Sequence, residues 1–171
     1  MKAVLPVLVL LGLFGGFAPA GQESKAAEVR VGTYDNRAIA VAYAASRFNP
    51  VAEKKELLEQ AKKTGDRSRV ADLEAWGERY QRRLHRQAFA RVPVDDLFEP
   101  VKERLAEVAR QSGLALIAPS CDWTDAGVQV VDVTDSLVAL YEPSAKTLAT
   151  VAELRKQPPL DLEEVEEGHD H

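Results

Sequence analysis

Three short stretches with the character of strands are held far apart in this chain by sequence with the character of helix. Glu28–Asp35 alternates Val29, Val31 and Thr33 against Arg30, Gly32 and Tyr34, the period-two pattern of a strand with one buried face. The next such stretches, Leu114–Ala118 and Val128–Val131, come some eighty residues later. Nearly everything between carries helical spacing and helix punctuation. The helices must therefore leave a small sheet and return to it. The expected fold is α+β, a small β-sheet body with a coiled-coil-like helical hairpin inserted between the first and second strands. Such a layout suits a device for holding something better than it suits a catalytic pocket.

The N-terminus reads as an export signal: Lys2, an apolar run from Val4 to Phe17, then the small-residue site Ala18-Pro19-Ala20. The run is shorter than the ~20 residues of a membrane span. Residues 1–20 are expected to be removed and the protein delivered to the periplasm; residues 21–27 read as a flexible leader. Residues 28–157 are enough for one domain with one core. Cys121 is the only cysteine, so no internal disulfide framework is expected. Charge is unevenly placed. Residues 51–91 hold eleven Lys or Arg against seven Asp or Glu, whereas from Gln157 onward there are six acids and no Lys or Arg. Residues 158–171 read as an acidic, disordered tail.

Local signals divide the helical region. Asp35 or Asn36 can cap a helix over Ala38–Phe48, and Asn49-Pro50 starts another over Val51–Lys63. Gly65 suits a left-handed helix end, and Asp66 or Ser68 caps the next helix. Val70, Leu73, Trp76, Tyr80, Leu84 and Ala88 recur at three and four, a narrow stripe that packs on one partner helix. The arms, about residues 50–91, form an antiparallel hairpin with Gly65 at its turn. Val94–Ser112 is strongly amphipathic and Gly113 ends it. The loop Pro119–Gly127 is of a length that closes a β-hairpin between the last two strands. Thr134 and Ser144 cap two further helices, over Asp135–Tyr141 and Ala145–Lys156.

Two stretches resemble the Skp/OmpH family of periplasmic chaperones. One is Val31-Gly-Thr-Tyr-Asp-Asn36, a strand running into a helix just after the signal. The other runs from Val108-Ala-Arg-Gln-Ser-Gly-Leu-Ala-Leu-Ile117 to Asp132-Val-Thr-Asp-Ser-Leu-Val-Ala-Leu140. Together they cover roughly a third of the chain that follows the signal, in the family's order around a helical insertion. The resemblance implies a homo-oligomer, a trimer in the family pattern, whose sheets join and whose arms enclose unfolded outer-membrane proteins without ATP. This chain departs from the pattern in its much shorter arms, in Pro50 and Pro93, and in the helix and acidic tail that follow the body.

The residues themselves offer few centres of chemistry. Arg79, Arg82, Arg83 and Arg86 share one broad helix face, which can attract acidic clients, anionic lipid or lipopolysaccharide phosphate. Export argues against nucleic acid. The plainer reading is a solvated face paired with Glu53, Glu56 and Glu59 of the facing arm. Trp76, Tyr80 and Leu84 either glue the hairpin or grip apolar segments of a client or partner. Trp123 is a candidate subunit contact. Cys121, Asp122 and Asp125 share a loop, but thiol catalysis needs a base within reach, and His85 is the only histidine outside the tail. Asp132, Thr134 and Asp135 read as helix caps. His169 and His171 among the tail acids could hold a metal only loosely. No cofactor and no catalytic residue is expected. The leading expectation is a holdase-type chaperone of the cell envelope. The alternatives are an interaction or scaffold module for a folded partner or anionic lipid surface and, remotely, a small thiol or hydrolytic enzyme using the 119–127 loop.

Overall fold

A computed structural model describes residues 28–167. The expected signal, the leader, and His169 and His171 lie outside the described residues. The fold is α+β, and the helical hairpin is inserted between the first two strands. Strand β1 (Val29–Thr33) runs into α1 (Asn36–Ala44), α2 (Val51–Thr64) and α3 (Arg67–Phe89). After α4 (Asp95–Phe98), a 3-10 turn and α5 (Lys102–Gln111) come β2 (Leu116–Ala118) and β3 (Val128–Asp132). The chain then forms α6 (Thr134–Val138), a second 3-10 turn, α7 (Ala145–Leu154) and α8 (Leu162–Glu167).

The sheet order is β2-β1-β3, with both outer strands parallel to β1. The hairpin expected between β2 and β3 does not form. Val31 pairs with Leu116 on one side and with Val130 on the other. A β2–β3 hairpin would leave β1, the most buried strand, with an unpaired edge. The nine residues 119–127 instead carry the chain back to the start of β3, closing on a bond from Val128 N–H to the Asp125 carbonyl (3.0 Å).

One face of the sheet meets the helices. Gly32 sits there because a side chain would not fit: a Cβ would come within 2.8 Å of Leu114 Cδ1 and 3.0 Å of Val133 Cγ2. Beneath it α1 is buried along most of its length, at Ala38, Ile39, Ala40, Ala42 and Tyr43. Its alanines let α3, α6 and α7 approach from different sides. Leu97, Val101, Leu137 and Val138 complete the core, and Tyr34 meets Phe98 edge to face at 5.4 Å. Each fully buried aliphatic side chain contributes about 1.5–3 kcal/mol.

The amphipathic stretch expected as one helix over Val94–Ser112 is broken by a 3-10 turn at Glu99–Val101, where Pro100 lacks the N–H a continuous helix uses. Its apolar residues still face the core. Asp66 caps α3, accepting from Arg69 N–H at 3.0 Å, and Gly65 takes φ 71°. Ser144 caps α7 through Thr147 N–H (3.1 Å). Thr134 has a different task from the expected cap. Its hydroxyl accepts from Asp35 N–H (3.0 Å), while Asp132 Oδ1 accepts from Thr134 N–H (2.8 Å).

The hairpin is anchored at its base by two asparagines. Buried Asn36 points its amide at the carbonyls of Gln87 (3.3 Å), Ala90 (2.8 Å) and Val92 (3.0 Å), groups that the end of α3 leaves without helical partners. Asn49 accepts from Val51 N–H (3.2 Å) and from the Tyr80 hydroxyl (3.0 Å), tying the start of α2 to α3.

Of the stretch 158–171 expected to lack structure, residues 160–167 are ordered against α3. Leu160 N–H donates to the Phe89 carbonyl (2.9 Å), Glu166 pairs with Arg86, and Val165 is buried. Its acids complement the basic arm, which a reading of the tail by its own composition could not register.

Candidate binding surfaces

Arg79, Arg82, Arg83 and Arg86 of α3 are all exposed, but they are not equivalent. Arg83 approaches Asp96 at 3.5 Å and lies 5.5 Å over the Tyr80 ring. Arg86 is paired with Glu166 of α8. Arg79 and Arg82 are exposed and make no ion pair among the described residues. The expected pairing with Glu53, Glu56 and Glu59 is not made; the arms are bridged by Lys62 and Glu74 at 3.5 Å instead.

The aromatic stripe is committed to the hairpin. Tyr80 is only 7% exposed, and Trp76 stacks on it at 4.8 Å, with Lys54 Nζ 5.8 Å from the indole. Leu84 is half-buried against the core. The client-gripping reading is therefore corrected for Tyr80, whereas Trp76 and Leu84 are half-buried. Tyr80 has no surface to offer, and burial drives its hydroxyl pKa well above the tyrosine range, reinforced by the nearby Tyr43.

Among the described residues the other face of the sheet carries no helix. The pleat puts Val29, Val31, Leu116, Val128 and Val130 on that side, cross-strand neighbours through the register. Val29 is 47%, Leu116 56% and Val130 45% exposed, and Trp123 in the adjoining loop is 80% exposed. Parallel sheets are ordinarily covered on both faces. The alternation legible in Glu28–Asp35 is correct: the Gly32 side meets the helices, and on the valine side Val29 is exposed while Val31, flanked by both neighbouring strands, is 9% exposed. Both outer strands also keep one edge without a strand partner among the described residues.

At the C-terminal ends of the strands lies an open cleft of about 500 Å³ that motif reading did not single out. Asp35, Arg37, Arg91, Asp132, Thr134 and Arg155 are among its lining residues. Asp35 accepts from Arg37 Nε (3.0 Å) and Nη2 (2.7 Å), and Arg37 Nη1 donates to the Gln157 carbonyl (3.0 Å). Arg155 bridges Asp132 and Asp135. Burial pushes the Asp35 carboxyl up, but its bonds from Arg37, with Arg155 nearby, outweigh it and hold the group below the usual carboxylate range. At Asp132 burial is likewise outweighed, by bonds from Thr134 and by Arg155. Both carboxylates are ionised and clamped, so the cluster fastens the strand ends to α1 and to the C-terminal segment. Sequence spacing gave no sign of it because Arg37 and Arg155 reach it from separate helices.

Cys121 also lines this cleft, with Sγ 3.3 Å from the Trp123 carbonyl. His85 does not line the cleft; its ring meets Phe89 edge to face at 5.6 Å. Asp125 accepts from Ala126 N–H (2.7 Å), the role of a turn former. Among the described residues no group of His, Cys, Asp and Glu side chains is placed to hold a metal ion, and no helix is long and apolar enough to cross a membrane. No protein-family model, curated protein or solved structure matches this chain.

Proposed function

We propose that the protein is a non-enzymatic, ATP-independent binding protein of the cell envelope. It assembles as a homo-oligomer through the open face of its sheet and holds unfolded outer-membrane proteins against its hairpins. The observation that carries this reading is an uncovered apolar sheet face on a body from which a helical hairpin projects. Joining copies through that face removes Val29, Leu116, Val130 and Trp123 from water and gathers the hairpins into one assembly. Arg79 and Arg82 then supply long-range attraction to acidic clients. Apolar contact falls to the half-buried Leu57, Leu58, Val70 and Leu73 of the distal arm rather than to Tyr80. Weak contact at many points suits a client that must later be released. The periplasmic setting rests on the signal-like residues 1–20.

The commitment of Trp76 and Tyr80 to the hairpin favours a second reading. Phe89 at the base of α3 is exposed, but an arm whose Trp76 and Tyr80 pack inward is better suited to a folded partner or an anionic lipid surface, including lipopolysaccharide, than to apolar capture. Light scattering separates the two. An oligomer that keeps an unfolded outer-membrane barrel protein soluble in a defined complex, and that Leu116→Lys with Val130→Lys reduces to monomers, supports the holdase. A wild-type monomer that lets the barrel protein aggregate overturns it in favour of the second reading.

A further inference from the structure

We infer that the C-terminal third of α3 is a docking surface for an acidic, aliphatic peptide segment, and that residues 160–167 of this same chain occupy it as an internal competitor. The inference deepens the proposed function, because it rests on the arm being a binding surface. A six-residue helix such as α8 has no stability of its own in water, so its helicity depends on what it packs against. That partner is α3. Val165 is 6% exposed there, although it lies in a segment otherwise rich in Glu. Leu160 N–H takes the Phe89 carbonyl at the end of α3, and Glu166 takes Arg86. One aliphatic anchor, one backbone bond and one ion pair define what the surface recognises.

The tail does not use the whole surface. Arg82 and Arg79 continue the line of Arg86 along α3, one and two turns further on, and neither makes an ion pair among the described residues. A longer acidic segment reaches all three cations and can displace the tail, whereas a shorter or neutral one cannot. The tail therefore sets a threshold. Attached through a short linker, it acts at an effective concentration near ~1 mM, so only segments that gain the additional contacts compete.

The test uses the intact protein and a fluorescently labelled peptide with the sequence of residues 157–167 continued by six glutamates, long enough to reach Arg82 and Arg79, followed by anisotropy. Converting Glu163, Glu164 and Glu166 of the protein to Gln leaves its surface polar but weakens the internal competitor. This variant is expected to bind the labelled peptide about tenfold more tightly than the wild type. Adding Arg86→Glu to it is expected to abolish binding. Val165→Ser, which removes the aliphatic anchor, is expected to mimic the triple Gln variant. Equal binding by wild type and both tail variants, or binding that survives Arg86→Glu, overturns the inference. So does displacement of the peptide by anionic phospholipid vesicles more readily than by unlabelled peptide. The holdase reading is tested apart from the tail: Arg79→Glu with Arg82→Glu must weaken capture of the barrel protein. If it does while the peptide results fail, only the inference falls.

Discussion

Arg37 shows how a single residue can be charged, 5% exposed and still native. Its guanidinium is matched by the Asp35 carboxylate on one side and the Gln157 carbonyl on the other. Asp35 is in turn the cap of α1, accepting from Arg37 N–H at 3.0 Å. Asp35→Asn keeps a capping oxygen but leaves the buried guanidinium without a counter-charge. It is expected to cost about 1.5–3 kcal/mol in urea unfolding near neutral pH. The folded carboxyl lies below its ordinary value of 3.8, so the linked stability is fully present above that value. It is lost as pH falls through the folded value, and Asp132 contributes in the same sense. The gap between wild type and variant should therefore narrow as pH falls below about 4. A gap constant down to about pH 2 would mean that charge pairing is not the source of the cost.

The elements were legible wherever the deciding physics was local. Gly65 with Asp66, and Ser144, mark helix ends by what one residue can do for the next few, and each stands where its chemistry placed it. The distal hairpin turn gives a clean test. A Cβ on Gly65 would have nothing within 4 Å, so Gly65→Ala introduces only the strain of φ 71°. The expected cost is about 1 kcal/mol. Hydrogen exchange should quicken at the adjoining ends of α2 and α3 and stay unchanged in β1. Acceleration throughout the sheet would show the hairpin and body to be one cooperative unit. What the sequence did not reveal depends on distant partners. Alternation in Glu28–Asp35 defines two faces but not which one the helices cover. That choice turns on Leu114 and Val133 closing over Gly32. The nine-residue loop permits a hairpin as well as a parallel return, and the demand of β1 for partners on both sides decides. The acidic stretch after Pro158 looks unstructured until Arg86 and the Phe89 carbonyl are placed beside it.

Two features of the whole molecule bear on how it exists in solution. Among the described residues the helices lie on one side of a parallel sheet, the other side shows Val29, Leu116 and Val130 to water, and Trp123 is exposed in the loop between β2 and β3. A monomer would pay the hydrophobic cost of that face continuously, and two open strand edges beside it invite further pairing. If copies cover the face, folding and assembly are linked, and stability must depend on protein concentration. A tenfold rise in concentration adds about 1.4 kcal/mol for each association step, shared among the protomers. That gives about 0.7 kcal/mol per protomer for a dimer and about 0.9 for a trimer. The urea midpoint of the wild type should climb accordingly, with Trp123 emission moving to shorter wavelength as the indole leaves water. Leu116→Lys with Val130→Lys places charge in the middle of the face while leaving the Gly32 side and its helices intact. Its midpoint should be independent of concentration and its helical signal unchanged. A wild-type midpoint that does not move over two decades of concentration would mean that the face meets a different partner, and the search would then turn to a folded protein that covers it.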